Sequence, residues 1–398
     1  MVRGANPPLR LGVAGLGRAF MLMLPTLTSD ARIRLVAAAD PRADARAQFE
    51  RDFGGRSHAT VDALCADRDV DVVYVATPHQ FHAQHALAAA ACGKHMLVEK
   101  PMAVTLDECA AMIDAARCAG VLLVVGHSHS YDAPYLRTRE IIASGRYGDL
   151  RMVTALNFTD FLYRPRRPEE LDTAQGGGVV FSQAAHQVDL VRLLAGGRVT
   201  SVRAQTGAWD PARRTEGAYG ALLSFANGAF ASLTYSGYAH FDSDELCGWI
   251  GELGHAKDPS RHGAARSALS TRMTPAEEAA LKDTRTYGRA VATSDAPVAH
   301  NHFGMVIASC DRADLRPLPN GVMIYDDGAS QLDRISPPEI PRGEVIDELY
   351  GAIVHGRRPV HSGEWAMATH EVCLSILTSA RSGQEMALEH QVGVDAQS

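Results

Sequence analysis

One lysine of this chain stands where an α/β protein would hold an acid–base group. Lys100 follows the apolar run His95–Val98 in the sequence Val-Glu-Lys-Pro, and that run predicts a buried strand. Open α/β sheets bind ligands at the carboxyl ends of their strands, and a desolvated lysine, unlike an arginine, can release its proton near neutral pH. By itself the motif is more typical of a solvated loop before a turn-forming proline. The surrounding sequence favours a catalytic Lys100.

A glycine-rich turn near residue 15 predicts a dinucleotide-binding loop. A strand beginning at Leu9 breaks at Gly15, and a helix is predicted over residues 18–28. Gly15 permits the tight turn, and Gly17 lets the backbone approach a pyrophosphate at the helix N-terminus. Phe20 stands where the third glycine of the pattern would be. We therefore expect the helix to stand off slightly from the strand or to start differently.

An acidic residue at the end of the next strand strengthens the cofactor prediction. Asp40 ends the predicted strand Ile33–Ala39, about twenty residues beyond the turn, where a carboxylate hydrogen-bonds the adenosine ribose. A carboxylate there would repel a 2′-phosphate, so NAD is favoured over NADP. Arg42 keeps NADP as the minor alternative, and Asp40 is also a suitable cap for the helix that begins near Arg42.

Apolar strands alternate with helices as far as Gly126, which indicates a doubly wound parallel sheet. Helices are predicted over residues 43–53, 61–66, 80–91 and 106–119, and strands over residues 71–76, 95–98 and 121–125. Thr77, Pro78 and His82 follow the third long strand and are expected to lie over the cofactor. His79, His82 and His85 are spaced like metal ligands, but no cysteine or carboxylate completes the set, so we predict no metal site.

Composition excludes several classes of protein. A chain of 398 residues suggests two domains of roughly 150–250 residues. The net charge of −7 lacks the basic footprint of a nucleic-acid-binding protein, and the apolar runs are too short to cross a bilayer. Seven cysteines without a C-x-x-C pair, and no apolar leader, predict reduced thiols and a cytoplasmic location.

These motifs, in this order, resemble the Gfo/Idh/MocA oxidoreductases. The resemblance continues through residues 143–150 and 176–189. It implies an N-terminal Rossmann domain, here residues 1–126, and a C-terminal α+β domain, here residues 127–398, with a large, mostly antiparallel open sheet that often forms a homodimer or homotetramer interface. It also implies a cis Lys100–Pro101 peptide. The residues that we expect to bind NAD are Gly15, Gly17, Arg18, Ala19, Phe20, Asp40, Arg42, Thr77, Pro78, His82, Glu99 and Lys100.

The second half carries the pattern of such a domain. Strands are predicted over residues 150–160, 199–208, 217–225, 229–238, 302–308, 321–325 and 330–335, and helices over residues 184–194, 344–355 and 364–382. Residues 245–300 form a polar insertion. A capping box at Thr274 predicts a short helix within it. A segment of this length without sheet pattern is either a lid or an oligomer arm.

The resemblance implies a catalytic set that is incomplete here. In the family the lysine works with an Asp-x-x-x-His pair. His186 matches the histidine of that pair, but Ser182 occupies the aspartate position. Serine cannot take up a proton at neutral pH, so Lys100 and His186 remain as the titratable pair. The alternative for His186 is a hydrogen-bonded helix residue without a catalytic role.

Three arginines in four residues suggest an acidic substrate. Arg164, Arg166 and Arg167 follow a predicted strand, and guanidinium forks suit carboxylates, although such a cluster is also typical of a solvated surface. The sequence around residues 183–189 resembles the family members that oxidise phthalate cis-dihydrodiols. The residues that we expect to bind substrate are Tyr163, Arg164, Arg166, Ser182, Gln183 and His186.

The hypothesis is therefore an NAD-dependent dehydrogenase that oxidises a carboxylated cis-dihydrodiol, phthalate 4,5-cis-dihydrodiol, to a catechol. Lys100, or His186 through it, would remove the hydroxyl proton. Two alternatives stay open. One is a sugar or inositol dehydrogenase or keto-sugar reductase of the same family, against which Ser182 counts. The other is a redox-silent regulator that binds NAD.

Overall fold

Six parallel strands form the sheet of the first half. The structure, a computed structural model, describes residues 7–126, 128–261, 263–270, 273–289 and 297–394. The strand order is β3-β2-β1-β4-β5-β6, so the chain reverses its direction of winding between β1 and β4, where open sheets form their ligand crevice. The strands are β1 Leu9–Ala14, β2 Ile33–Ala39, β3 Arg56–His58, β4 Val72–Val75, β5 His95–Val98 and β6 Leu123–Val125.

Helices cover both faces of this sheet. They are α1 Arg18–Ser29, α2 Ala43–Phe53, α3 Val61–Cys65, α4 His82–Ala91 and α5 Leu106–Ala119. Local sequence explains their ends well: α5 begins at a capping box between Thr105 and Glu108 and ends at Gly120, which has a left-handed conformation. The predicted doubly wound sheet is confirmed. Edge strand β3 was not predicted because it has three residues and little apolar character.

The second sheet has nine strands in the order β14-β13-β12-β11-β7-β10-β9-β8-β15. β7 and β10 pair in parallel and the other neighbours are antiparallel, so the predicted mostly antiparallel open sheet is confirmed. The strands are β7 Leu150–Phe158, β8 Val199–Gly207, β9 Ala218–Phe225, β10 Phe230–Ser236, β11 Met305–Cys310, β12 Ala313–Leu318, β13 Gly321–Asp326, β14 Ser330–Arg334 and β15 Met386–Ala387.

The remaining helices follow in the second half of the chain. They are α6 Ala133–Ala143, α7 Ala185–Ala195, α8 Ala264–Ser270, α9 Pro275–Asp283, α10 Gly343–His355 and α11 Gly363–Ser382. A π-helical turn, Val180–Ala184, leads into α7, all of whose residues are buried. Helix α10 packs Val345 and Leu349 into the core beneath the first sheet. In the part of the chain that the structure describes, no helix has the length and apolar character needed to cross a membrane.

Candidate active site

Lys100 lies at the carboxyl edge of the first sheet, directly after β5, and the Lys100–Pro101 peptide is cis. Its Nζ donates a hydrogen bond of 2.9 Å to the carbonyl of Ser182 in the π-helical turn. Burial lowers the pKa of Lys100 below its ordinary value, against the opposing charges of Glu99 and Glu252. A lysine in this state suits proton abstraction better than a solvated one.

The loops after β4 and β5 are tied together by buried polar contacts. The two ring nitrogens of His82 lie 2.9 Å from the carbonyl oxygens of Thr77 and Pro101, and burial lowers the pKa of His82 to about 4. The Tyr74 hydroxyl donates to Glu99 at 2.5 Å. These contacts hold the backbone beneath Lys100 in place. The described residues contain no cluster of side chains that would hold a metal ion.

Two histidines line the same cavity as Lys100. His186 lies on α7, and its ring centre is 4.8 Å from that of His129 and 5.3 Å from that of Phe303. His129 has a carboxylate at each ring nitrogen, Asp132 at 2.7 Å and Glu252 at 3.4 Å. Sequence reasoning singled out His186 but missed His129 and Glu252, because 123 residues separate these two and no local spacing signals their pairing.

Charge is balanced within this group. Burial would lower the pKa of His129, but the nearby carboxylates of Asp132 and Glu252 outweigh it and raise that pKa. Burial would likewise raise the pKa of Glu252, yet His129 and Arg164 hold it well below its usual range. Glu252 is therefore an anion that acts on both Lys100 and Arg164, and it supplies a carboxylate to a site in which Ser182 replaces the family aspartate.

The π-helical turn forms one wall of the cavity. Ser182 contributes its backbone carbonyl to Lys100, and Gln183 accepts a hydrogen bond of 3.2 Å from the Tyr235 hydroxyl. Asp189, one turn after His186, accepts hydrogen bonds from Trp365 and Thr369 at 2.5 and 2.8 Å. Asp189 therefore has a structural role in joining α7 to α11.

The predicted arginine loop reaches the cavity, but its charges are already paired. Arg164 donates to Asp160 at 2.7 Å and to Glu252 at 3.4 Å. The Arg166 guanidinium donates to the carbonyl of Phe161 at 3.0 Å and stacks 3.6 Å above the Phe161 ring. Arg164 thus has one short and one long contact with carboxylates. Arg166 is held in the cavity wall by its contacts with Phe161.

Tyr163 does not reach this cavity, contrary to the prediction that it binds substrate. Its hydroxyl donates to Asp210 at 2.8 Å, and Arg266 lies 4.3 Å above its ring. These residues line a separate cavity beside Trp209. Tyr163 ends the short helical turn Phe161–Tyr163, whereas Arg164 follows that turn in an extended conformation and lines the cleft.

The dinucleotide loop has the geometry that its glycines predict. Gly15 has a φ of 96°, and a Cβ there would lie 2.9 Å from the carbonyl oxygen of Ala76, so the close approach of β1 and β4 requires glycine. Gly17 precedes α1, which has no side-chain cap. The first-turn N–H groups are therefore available to an anion. Helix α1 begins at Arg18 as predicted, so Phe20 does not shift its start.

Asp40 and Arg42 stabilise this loop from behind. Asp40 accepts hydrogen bonds from the backbone N–H groups of Leu16 and Arg42, both at 2.9 Å, and the Arg42 guanidinium returns a bond of 2.8 Å to the carbonyl of Leu16. Phe20 is fully buried. Gly15, Phe20, Asp40 and Arg42 lie outside the cavity lining among the described residues, so direct cofactor contacts from them stay a prediction.

One cleft of about 720 Å³ joins these parts, within the range of cofactor and substrate sites. Of the predicted residues it is lined by Gly17, Arg18, Ala19, Thr77, Pro78, His82, Glu99, Lys100, Arg164, Arg166, Ser182, Gln183 and His186. Arg285 and Arg342, which sequence reasoning missed, line it beside Arg18. These three arginines form no ion pair with a carboxylate in the described ranges. Uncapped N–H groups and unpaired guanidiniums fit the diphosphate of a dinucleotide.

Comparison with known proteins agrees with this geometry. Residues 9–127 match the oxidoreductase family with an NAD-binding Rossmann fold, and residues 135–257 match the Gfo/Idh/MocA C-terminal domain. The fold and the cleft thus define an NAD-binding oxidoreductase. The chain belongs to the Gfo/Idh/MocA family.

Two relatives cover nearly the whole chain. The 1-carboxy-3-chloro-3,4-dihydroxycyclohexa-1,5-diene dehydrogenase of Comamonas testosteroni is 50% identical over 377 residues, which are 94% of this chain and 95% of that protein. A solved structure from Bordetella bronchiseptica RB50 is 40% identical, has a TM-score of 0.91 and covers 96% of this chain and 100% of its own. Inositol 2-dehydrogenase 2 of Saccharopolyspora erythraea matches less, with 31% identity over 50% of this chain and 57% of its own.

Proposed function

We propose that this chain oxidises a carboxylated cis-dihydrodiol of a cyclohexadiene, with NAD as the oxidant, to the corresponding catechol. The observation that carries the proposal is the placement of Lys100 and Arg164 on one cleft with the dinucleotide loop. The Comamonas testosteroni dehydrogenase, whose name describes a carboxylated dihydroxycyclohexadiene, supports the substrate class.

The chemistry divides between the cofactor and the side chains. Bound NAD would supply the acceptor for the hydride that leaves one carbinol carbon. Lys100, in its neutral form, accepts the proton of the hydroxyl on that carbon. The ring has then lost two hydrogens and carries an enone, which tautomerises to the catechol. Aromatisation makes this sequence favourable, so a full lysine–aspartate relay is less necessary than in sugar oxidation, and Ser182 at the aspartate position is tolerated.

The residues behind Lys100 complete the proton path. His186, which lines the same cleft, orients the hydroxyl group toward the lysine. Glu252 is anionic and electrostatically coupled to Lys100, so its charge favours the protonated lysine that forms during the reaction. His129 holds Glu252 in place through a contact of 3.4 Å. Glu252 therefore takes over part of the role that an aspartate has in the family.

Arg164 is the residue that we assign to a substrate carboxylate. Its bond to Asp160 fixes the guanidinium, and its longer contact with Glu252 is the one that a substrate carboxylate would replace or share. Arg166 shapes the wall beside it, and Ser182 and Gln183 contact the ring. Phthalate 4,5-cis-dihydrodiol, with two carboxylates, is our finer proposal, as are a cytoplasmic location and a homodimer or homotetramer formed through the open sheet.

The experiment is NAD reduction measured with three kinds of substrate. Phthalate cis-4,5-dihydrodiol, a monocarboxylated cis-dihydrodiol and myo-inositol are compared with the wild type and with Lys100→Ala. We expect turnover of the carboxylated diols, little turnover of inositol, and loss of turnover in the variant. Full activity of Lys100→Ala would overturn the catalytic assignment, and a preference for inositol would move the protein to the polyol dehydrogenases.

A further inference from the structure

Part of the polar insertion lines the cleft. We name residues 275–289, which comprise α9 and the turn that follows it, the strap. Its first end is bound to the substrate side of the molecule: Glu278 accepts a bond of 2.8 Å from Arg213, and Asp283 accepts one of 2.8 Å from Arg167. Lys282 pairs with Glu170. The strap is thus fixed beside the loop that carries Arg164.

The other end of the strap is pinned to the dinucleotide loop. The backbone N–H of Tyr287 donates to the carbonyl of Leu16 at 3.2 Å, and Arg42 donates to the Thr286 hydroxyl at 2.8 Å. The Tyr287 ring packs edge-on against Phe20, with 5.3 Å between ring centres, and its hydroxyl donates to Asp52 at 2.5 Å. Phe20, at the third glycine position, therefore provides the surface on which Tyr287 packs.

Between these two ends the strap presents Arg285 to the cleft. Burial is the main cause that lowers the pKa of Arg18. The nearby positive charge of Arg285 lowers this pKa further, and so does the charge of Arg342. Like charges this close repel one another unless an anion lies between them. The uncapped N-terminus of α1 lines the same cleft as Arg285.

We propose that Arg285 binds the diphosphate of the dinucleotide from the strap side, opposite the N-terminus of α1, so that the cofactor is held between the two halves of the molecule. Thr286 and Tyr287 are positioning residues that set Arg285 at the correct height above Gly17. This inference rests on the NAD binding of the family and not on the proposed substrate, so a wrong substrate assignment leaves it intact.

The test measures binding rather than turnover. NADH, ADP-ribose and adenosine are titrated against the wild type, Arg285→Ala, Arg285→Lys and Arg289→Ala by fluorescence or calorimetry. Arg289 is the matched control, because it lies on the same strap but pairs outward with Asp44 at 3.6 Å. Loss of a charge-assisted hydrogen bond predicts that Arg285→Ala weakens NADH and ADP-ribose binding by about tenfold or more.

Arg285→Lys keeps the charge and is expected to recover part of the affinity, while Arg289→Ala and adenosine binding stay unchanged. A smaller salt dependence of NADH binding in Arg285→Ala than in the wild type would support a contact between Arg285 and the diphosphate. The proposal is overturned if Arg285→Ala binds NADH as the wild type does, or if Arg289→Ala loses the same affinity. An equal loss of adenosine binding would also overturn it, because the effect would then be a collapse of the strap.

Discussion

The two groups of arginines at the cleft differ in a way that their sequence positions conceal. Arg164 and Arg166 are near neighbours in the chain, and both have partners within the protein. Arg18, Arg285 and Arg342 come from three distant segments, and none forms an ion pair in the described residues. Clustering in sequence therefore does not measure free positive charge. Free charge depends on which carboxylates the fold brings to each guanidinium.

We assign different tasks to the two arginine groups of the cleft. Around Arg18, positive charge without a counterion suits a permanent dianion such as a diphosphate. Around Arg164, the carboxylates of Glu252 and Asp160 balance the charge and leave one long contact for exchange. In our proposal a substrate carboxylate would compete there with Glu252, which suits a molecule that must leave after each turnover.

The largest expected effect is at Lys100. Lys100→Ala should lower kcat by about 10²- to 10⁴-fold, the usual contribution of a general base. Lys94→Ala is the matched control, since Lys94 bonds the carbonyls of Asp67 and Val70 at 2.8 and 2.7 Å away from the cleft. Equal losses in both variants would show that Lys100 is structural.

The second prediction substitutes one arginine from each of the two groups. Arg18→Gln should weaken NADH binding by about tenfold or more, the value of one charge-assisted hydrogen bond, with little change in the KM of the diol. Arg164→Gln should do the reverse. NADH titration and steady-state kinetics on both variants measure this separation. If both variants change the same parameter, the division of the cleft is wrong.

The third prediction concerns pH. Lys100 acts as a base when neutral, so kcat/KM rises as the pH rises through the pKa of Lys100. Burial lowers this pKa, the charge of Glu252 raises it, and the charge of Arg166 lowers it. Glu252→Gln should therefore move the acid limb of the profile to lower pH. Asp160→Asn, which removes the other carboxylate of Arg164, should leave the limb in place. A shift to higher pH in Glu252→Gln would contradict the coupling.

The smallest effect is expected at Tyr163, outside the cleft. Tyr163→Phe removes the hydrogen bond to Asp210 and should cost about 0.5–1.5 kcal/mol of the free energy of unfolding, measured by urea denaturation. Its kcat and KM should match those of the wild type. A raised KM for the diol in Tyr163→Phe would indicate that Tyr163 contacts the substrate.

The sequence predicted the first sheet almost completely, because its strands are short apolar runs and its helices carry caps such as Thr105 and Gly120. It predicted Lys100 and His186 through a motif at fixed spacing. It missed His129, Glu252 and Arg285, since each reaches the cleft from a segment without a local pattern. Tyr163 was predicted to lie at the cleft, but it lines a separate cavity. Neighbouring residues of a helical turn point in different directions, and the sequence does not show which of them faces the cleft.

The central claim is that Arg164 recognises a carboxylate on a ring diol. The direct measurement is kcat/KM for a carboxylated and an uncarboxylated cis-dihydrodiol, in the wild type and in Arg164→Gln. Our mechanism predicts a preference of about 10- to 100-fold for the carboxylated diol in the wild type, and loss of that preference in the variant. An unchanged preference in Arg164→Gln, or none in the wild type, would contradict it.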